Sequence, residues 1–313
     1  MRDLVSTRDA YGNTLVQLGE KYSNLVVLDA DLSASTKTAT FAKKFPDRFF
    51  NMGVAEQDMI GTAAGFATTG KIVFASTFAV FATGRAWDQI KISVAYPRLN
   101  VKIVATHGGI TVGEDGVTHQ ANEDIGMMRL LPNMTIIVPA DANQSSAAIT
   151  AAAKAHGPFY IRLTRSNTPI IYQDAGNFRI GSGIEVKKGS DVAIIACGIM
   201  LDKAIAAAEQ LEKEKISARV IDMHTIKPLD KDMIIKAAKD TRAIVVVEEH
   251  SILGGLGSAV AEVLAEECPV PIQRIGIRDM FCESGKPEEL LSKYGLDDID
   301  IVSACKNVIK RKK

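Results

Sequence analysis

Three short segments of this 313-residue chain gather side chains able to do chemistry. The first is Asn51-Met-Gly-Val-Ala-Glu56-Gln57. Glu56 falls in the first turn of the helix expected to follow, where an acid complements the helix dipole. Its surroundings, Gly53, Val54, Ala55, Met59 and Ile60, are small or apolar, so its carboxyl is expected to be buried. A desolvated carboxyl has a raised pKa and can share a proton with a ligand nitrogen. The second segment is Ser76-Thr-Phe78-Ala-Val-Phe81. Phe78 and Phe81 share a face if this turn is helical, and such rings either fill a core or clamp a flat heterocycle. The third runs from Ala105 to Gln120 and packs four glycines, two histidines and two acids behind an apolar run. Glycine at that density lets backbone fold closely around a ligand. His107 and His119 bracket Asp115, which leaves a two-histidine, one-acid metal site open as a reading.

All three segments sit where strands should end. Apolar, β-branched runs at Asn24–Ala30, Lys71–Ser76, Val101–Thr106, Thr135–Pro139 and Phe159–Leu163 alternate with amphipathic stretches. Four more follow at Asp191–Ala196, Ala218–Met223, Ala243–Val247 and Ile272–Ile277. Continuous blocks such as VKIVA, TIIV and AIVVV suit strands covered on both faces, as in parallel sheets. The class is therefore α/β, with two doubly wound domains and mostly parallel sheets. A helix is expected over Ala55–Thr69, and another opening at Ala140 with Asp141 as N-cap. The Gly-, Asn- and Lys-rich stretch Gln173–Ser190 reads as a linker, dividing the chain into 1–178 and 186–313. Ligands of such sheets bind beyond the carboxyl ends of strands, where the three segments lie.

Composition narrows the function. Thirty-seven basic and 37 acidic residues cancel, with a charge run only at Lys310–Lys313, which disfavours nucleic acid and membrane surfaces as partners. No uncharged apolar run approaches the roughly 18 residues of a membrane span, and the first residues lack a signal-peptide core. Four scattered cysteines form no CxxC pair, as expected of a reduced, cytoplasmic protein. Gly65–Lys71 imitates a phosphate loop, but Ile72 stands where Ser or Thr is needed and the glycines end a helix. Gly254-Gly-Leu-Gly257 imitates a dinucleotide turn without the spaced acid, leaving only a helix start able to hold an anion. Glu248-Glu249-His250 at a strand end is read as structural.

Asn51–Gln57 and Val104–Gln120, with Leu130-Leu-Pro-Asn133, Pro139-Ala-Asp141 and Leu163-Thr-Arg165-Ser-Asn-Thr-Pro169, resemble transketolases. His107–His119 (HGGITVGEDGVTH) is the most specific stretch. The likeness covers the pyrimidine-binding domain of that family and, more loosely, its C-terminal domain. The Gly-Asp-Gly motif of the diphosphate-binding domain is missing, and Arg8 lies close to where the pyrimidine domain would begin. The resemblance thus implies the C-terminal subunit of a split transketolase, with a separate N-terminal subunit carrying thiamine diphosphate's diphosphate and its Mg2+ or Ca2+. It implies transfer of a two-carbon ketol unit between sugar phosphates of carbohydrate metabolism, as in the pentose phosphate reactions. It also implies a homodimer within a heterotetramer, and no metal held by this chain.

By the same resemblance, Glu56 would bond the aminopyrimidine ring nitrogen and favour the tautomer that deprotonates the thiazolium carbon. Phe78 and Phe81 would wall the pyrimidine, with Gly84 where many relatives carry a further aromatic and Trp87 as a possible substitute. His119, as a catalytic residue, and Asp115 would contact donor hydroxyls. His107, Arg165, Ser35 and Arg8 would hold the sugar phosphate, with Asp31 lining the pocket. Two relatives stay as alternatives: 1-deoxyxylulose-5-phosphate synthase, suggested by Arg85-Ala-Trp87-Asp88-Gln89, and the β subunit of 2-oxo acid dehydrogenases. A regulatory subunit without chemistry and a metal hydrolase using His107, Asp115 and His119 are the alternatives from other classes.

Overall fold

A computed structural model describes residues 3–174 and 178–312. All nine apolar runs are strands, trimmed or extended by a few residues. Seven strands form the first sheet, in the order Thr225–Lys227, Thr135–Ile137, Phe159–Arg162, Val101–Thr106, Ile72–Phe78, Leu25–Asp29, Phe49–Asn51. Every neighbouring pair is parallel except the first. Five strands form the second sheet: Ile272–Ile277, Ile244–Ser251, Val192–Ala196, Ala218–Asp222 and, antiparallel at its edge, Ile184–Lys187. Strands such as Leu25–Asp29 and Val192–Ala196 are buried at every position because helices cover both faces, which is why they lack alternation.

Helix ends follow their local chemistry. Asp141 accepts the Gln144 N–H at 2.7 Å and so caps Ala142–Lys154. Its other oxygen takes the N–H groups of Ile171 and Tyr172, tying the chain after the first sheet to that helix. The helix Glu56–Thr68 stops just before Gly70, whose φ of 83° only glycine adopts readily.

Five strands of three or four residues escaped the sequence reading, among them Leu4–Ser6 and its antiparallel partner Asn167–Pro169. Runs that short show no period. Two of them bear on the division of the chain. Ile184–Lys187 lies inside Gln173–Ser190 yet belongs to the second sheet, and residues 175–177 of that stretch fall outside the described residues. Thr225–Lys227, from the second half, completes the edge of the first sheet. One apolar core cluster accordingly runs through both halves, from Val26 to Leu264.

Candidate active site

The loop after Leu25–Asp29 leads towards Phe49–Asn51, whereas the loop after Ile72–Phe78 leads the other way, to Val101–Thr106. The crevice at this reversal is where open α/β sheets bind ligands. Asp31 and Ser35 follow Leu25–Asp29, Phe78 ends Ile72–Phe78 with Phe81 just beyond it, His107 follows Val101–Thr106 and Arg165 follows Phe159–Arg162.

Glu56 begins its helix and is 5% exposed. Its Oε1 accepts Arg85 Nη1 at 2.8 Å, and the Arg85 guanidinium lies 4.1 Å over the Phe81 ring. Phe81 is stacked on Phe78 with centroids 5.8 Å apart. Phe78 ends its strand and Phe81 sits in the helix Ala79–Arg85, so the change from strand to helix brings the rings together. The His107 ring also stacks on Phe78, at 3.7 Å, while His119 meets Phe81 edge-on at 5.3 Å. A Cβ added to Gly84 would meet nothing within 4 Å, so the position is open. Trp87 is committed elsewhere, donating to the Met127 carbonyl.

His107 is buried with φ of 60°, and Asp31 has φ of 63°. Left-handed backbone costs a non-glycine residue about 1 kcal/mol, and such strain gathers at functional sites. Burial, then the charges of Arg8 and Arg165, push the His107 pKa down to about 3, so the ring is neutral. Its Nδ1 is 2.8 Å from the Thr106 hydroxyl, as His119 Nδ1 is 2.9 Å from that of Thr118.

Arg8 Nη1 donates to the Ser35 carbonyl and Nη2 to the Arg165 carbonyl, both at 2.9 Å, and its Nε is buried without a hydrogen-bond partner. Arg165 Nη1 donates to the Val112 carbonyl and, at 2.9 Å, to Glu114 Oε2. Two guanidinium groups, a neutral imidazole and a hydroxyl, with Arg8 and Ser35 at helix starts and His107 and Arg165 on loops, thus make a donor set suited to a terminal anion. Asp31, exposed, takes a bond from Asn51 Nδ2 at 2.9 Å, and Asp115 is exposed beside Gly116. The metal-hydrolase constellation does not form. Among the described residues no group of three His, Cys, Asp or Glu side chains could hold a metal, and both rings engage Phe78 and Phe81 instead.

Residues outside the three segments hold the histidine loop. Glu249 Oε1 accepts the Thr111 N–H at 2.7 Å, and its Oε2 lies 3.8 Å from Arg162 Nη1. Arg162 donates from Nε to Asp124 at 2.8 Å and from Nη2 to the carbonyls of Ala121 and Glu249. A Cβ on Gly108 would strike Arg162, and one on Gly109 would come within 2.5 Å of Glu249 Oε2. The loop's first two glycines therefore let these buried charges in. The acid pair Glu248-Glu249 was the available signal. The turn Gly254–Gly257 does receive an anion, but an internal one. Glu248 accepts the N–H groups of Leu256 and Gly257 at 2.7 Å, filling the helix start.

The chain matches the family model "Transketolase, pyrimidine binding domain" over residues 3–170 and "Transketolase, C-terminal domain" over 181–301. It is 55% identical, over 97% of its length and 96% of the other's, to a chain of Methanocaldococcus jannaschii named as a transketolase C-terminal section. It is 43% identical to a 6-deoxy-6-sulfo-D-fructose transketolase subunit of Clostridium sp. (strain MSTE9), over 97% of this chain and 95% of that one. Among solved structures it resembles "Split gene transketolase, inactive beta4 tetramer", with 53% identity and a TM-score of 0.93, covering 99% and 100% of the two chains. The chain spans about half the length of mammalian transketolases, such as that of the rat, to which it is 40% identical.

Proposed function

The chain belongs to the transketolase family, whose members depend on thiamine diphosphate, and on that premise we propose the C-terminal subunit of a two-subunit transketolase. It transfers a two-carbon ketol unit from a ketose phosphate to an aldose phosphate, in a complex with a subunit that binds the diphosphate. The observation that carries this is the buried carboxyl of Glu56 beside the paired rings of Phe78 and Phe81. That combination fits an aminopyrimidine, which offers a basic ring nitrogen and two flat faces. Relatives of nearly the same length, one named a subunit and one a split-gene product, support the division into two chains.

Bound thiamine diphosphate supplies the nucleophilic carbon and electron sink of ketol transfer. Glu56 holds and shares a proton at the pyrimidine ring nitrogen, and the Phe78 and Phe81 rings exclude water there. His119, catalytic in this reading, and Asp115 bind the donor's hydroxyls. His107, Arg165, Arg8 and Ser35 anchor the terminal phosphate, with Asp31 lining the same crevice. The metal, Mg2+ or Ca2+, sits on the diphosphate side, in the partner. Two copies of each chain form the working assembly, with this chain also pairing with itself, and the inactive beta4 tetramer of a solved split-gene relative supports such self-association. The division 1–178 and 186–313 belongs to this reading, supported by the two sheets and the two matched regions. A cytoplasmic setting does too, supported by four free cysteines. No helix of the described residues is long and apolar enough to cross a membrane.

Calorimetric titration of thiamine diphosphate with Mg2+ tests the shared site. Tight binding is expected only when this chain and the diphosphate-binding polypeptide are mixed. Equally tight binding by either chain alone would overturn it.

A further inference from the structure

Glu114 stands against the anion site without a part in the reading above. It follows Gly113, whose φ of 81° turns the chain back towards Arg165. A Cβ at Gly113 would lie 3.2 Å from Arg165 Nη1, so glycine permits the approach. The Glu114–Arg165 ion pair, 2.9 Å, is half open to water. A hydrogen bond from its own backbone N–H, and then the bond to Arg165, hold the pKa of Glu114 down, which keeps it charged. Other charges nearby are largely accounted for: Lys286 faces Glu289, Asp9 pairs with Lys37, and His107 is neutral. Arg8 and Arg165 contribute two positive charges and Glu114 removes one.

We infer that Glu114 is a specificity-determining counter-charge: it lowers the net charge of the terminal-anion site and narrows its preference for dianionic over monoanionic sugars. The inference rests on the proposed placing of the sugar's terminal anion between Arg8 and Arg165. A phosphate monoester carries about −1.5 to −2 at neutral pH, whereas a sulfonate carries a single charge. Uncovering one positive charge about 6 Å away, in a water-like dielectric, is worth about threefold in affinity per ligand charge. A dianion then gains about tenfold and a monoanion about threefold.

The test compares fructose 6-phosphate with 6-deoxy-6-sulfofructose as donors, which differ only in the terminal group. Glu114→Gln, which keeps a hydrogen bond to Arg165, is assembled with the diphosphate-binding subunit and set beside the parent complex. The expected result is a KM lower by about tenfold for the phosphate and about threefold for the sulfonate, with kcat held within about twofold. Glu114→Asp, which keeps the charge, should retain the parent's ratio. Equal changes for both donors, no change, or a fall in kcat for both would overturn the inference. If the parent complex uses neither ketose, that limits its donor range and leaves both the ketol-transfer reading and the charge argument standing. The charge argument is then read from inorganic phosphate and methanesulfonate binding to the same proteins, where Glu114→Gln must still favour phosphate by about threefold.

Discussion

Replacing Gly109 by alanine tests how the second sheet's strand Ile244–Ser251 holds the histidine loop. Gly109 has φ of 81° and ψ of −167°, a region almost confined to glycine. Forcing a Cβ there costs about 1–3 kcal/mol of backbone strain. The new methyl also falls on the Glu249 carboxylate, within 2.5 Å of Oε2 and closer still to its other atoms. Glu249 must withdraw, which breaks its 2.7 Å bond to the Thr111 N–H. A hydrogen bond to a charged group is worth about 1.5–3 kcal/mol, so Gly109→Ala should destabilise the chain by about 3–5 kcal/mol. Urea unfolding followed by the fluorescence of Trp87, the chain's single tryptophan, which packs against the core shared by both halves, reads this. A double-mutant cycle isolates the collision. In a Glu249→Ala background there is no carboxylate to displace, so Gly109→Ala should cost about 2 kcal/mol less than in the parent. If the two substitutions add within about 0.5 kcal/mol, Glu249 is not what Gly109 makes room for, and the reasoning fails.

Arg165→Lys keeps the charge but loses the planar fork. The KM for a phosphorylated donor should rise about tenfold with kcat little changed, and an unchanged KM would remove Arg165 from the anion site. Buried Asp222, bonded by Gln144 and Tyr172, is pushed up to about 7 by burial. The folded chain keeps a proton there between about pH 4 and pH 7 that the unfolded chain releases. Stability from this group is therefore complete below about pH 4 and lost as pH rises to about 7. Asp222→Asn should gain up to about 4 kcal/mol on the parent between pH 4 and pH 8 in urea titrations. A gain that does not depend on pH would show that the carboxyl does not titrate as described.

Much of the scaffold was legible because parallel strands buried on both faces must be continuous apolar blocks. Val101–Thr106 and Val192–Ala196 could be read for that reason. The antiparallel additions Thr225–Lys227 and Ile184–Lys187 could not, since each has too few residues to show a pattern. At the site, the burial of Glu56 followed from its small and apolar neighbours, whereas the Phe78–Phe81 stack arises at a change from strand to helix and not from the helical turn that a spacing of three suggested. Local spacing does not reveal charge partners. Arg85 reaches Glu56 across 29 residues, and Glu249 reaches Thr111 across 138. Gly108 and Gly109 read as freedom to wrap a ligand, but their hydrogens face Arg162 and Glu249. The third segment's glycines thus serve internal buried charge as well as whatever the crevice holds.

Ketol transfer from xylulose 5-phosphate to ribose 5-phosphate, with thiamine diphosphate and Mg2+, tests the central claim most directly. It is run with this chain alone, with the diphosphate-binding polypeptide alone, with both, and with both when this chain carries Glu56→Gln. The account predicts activity only in the complete mixture, falling by about 100-fold or more with Glu56→Gln. Full activity from this chain by itself, or near-parent turnover by Glu56→Gln in the mixture, would contradict it.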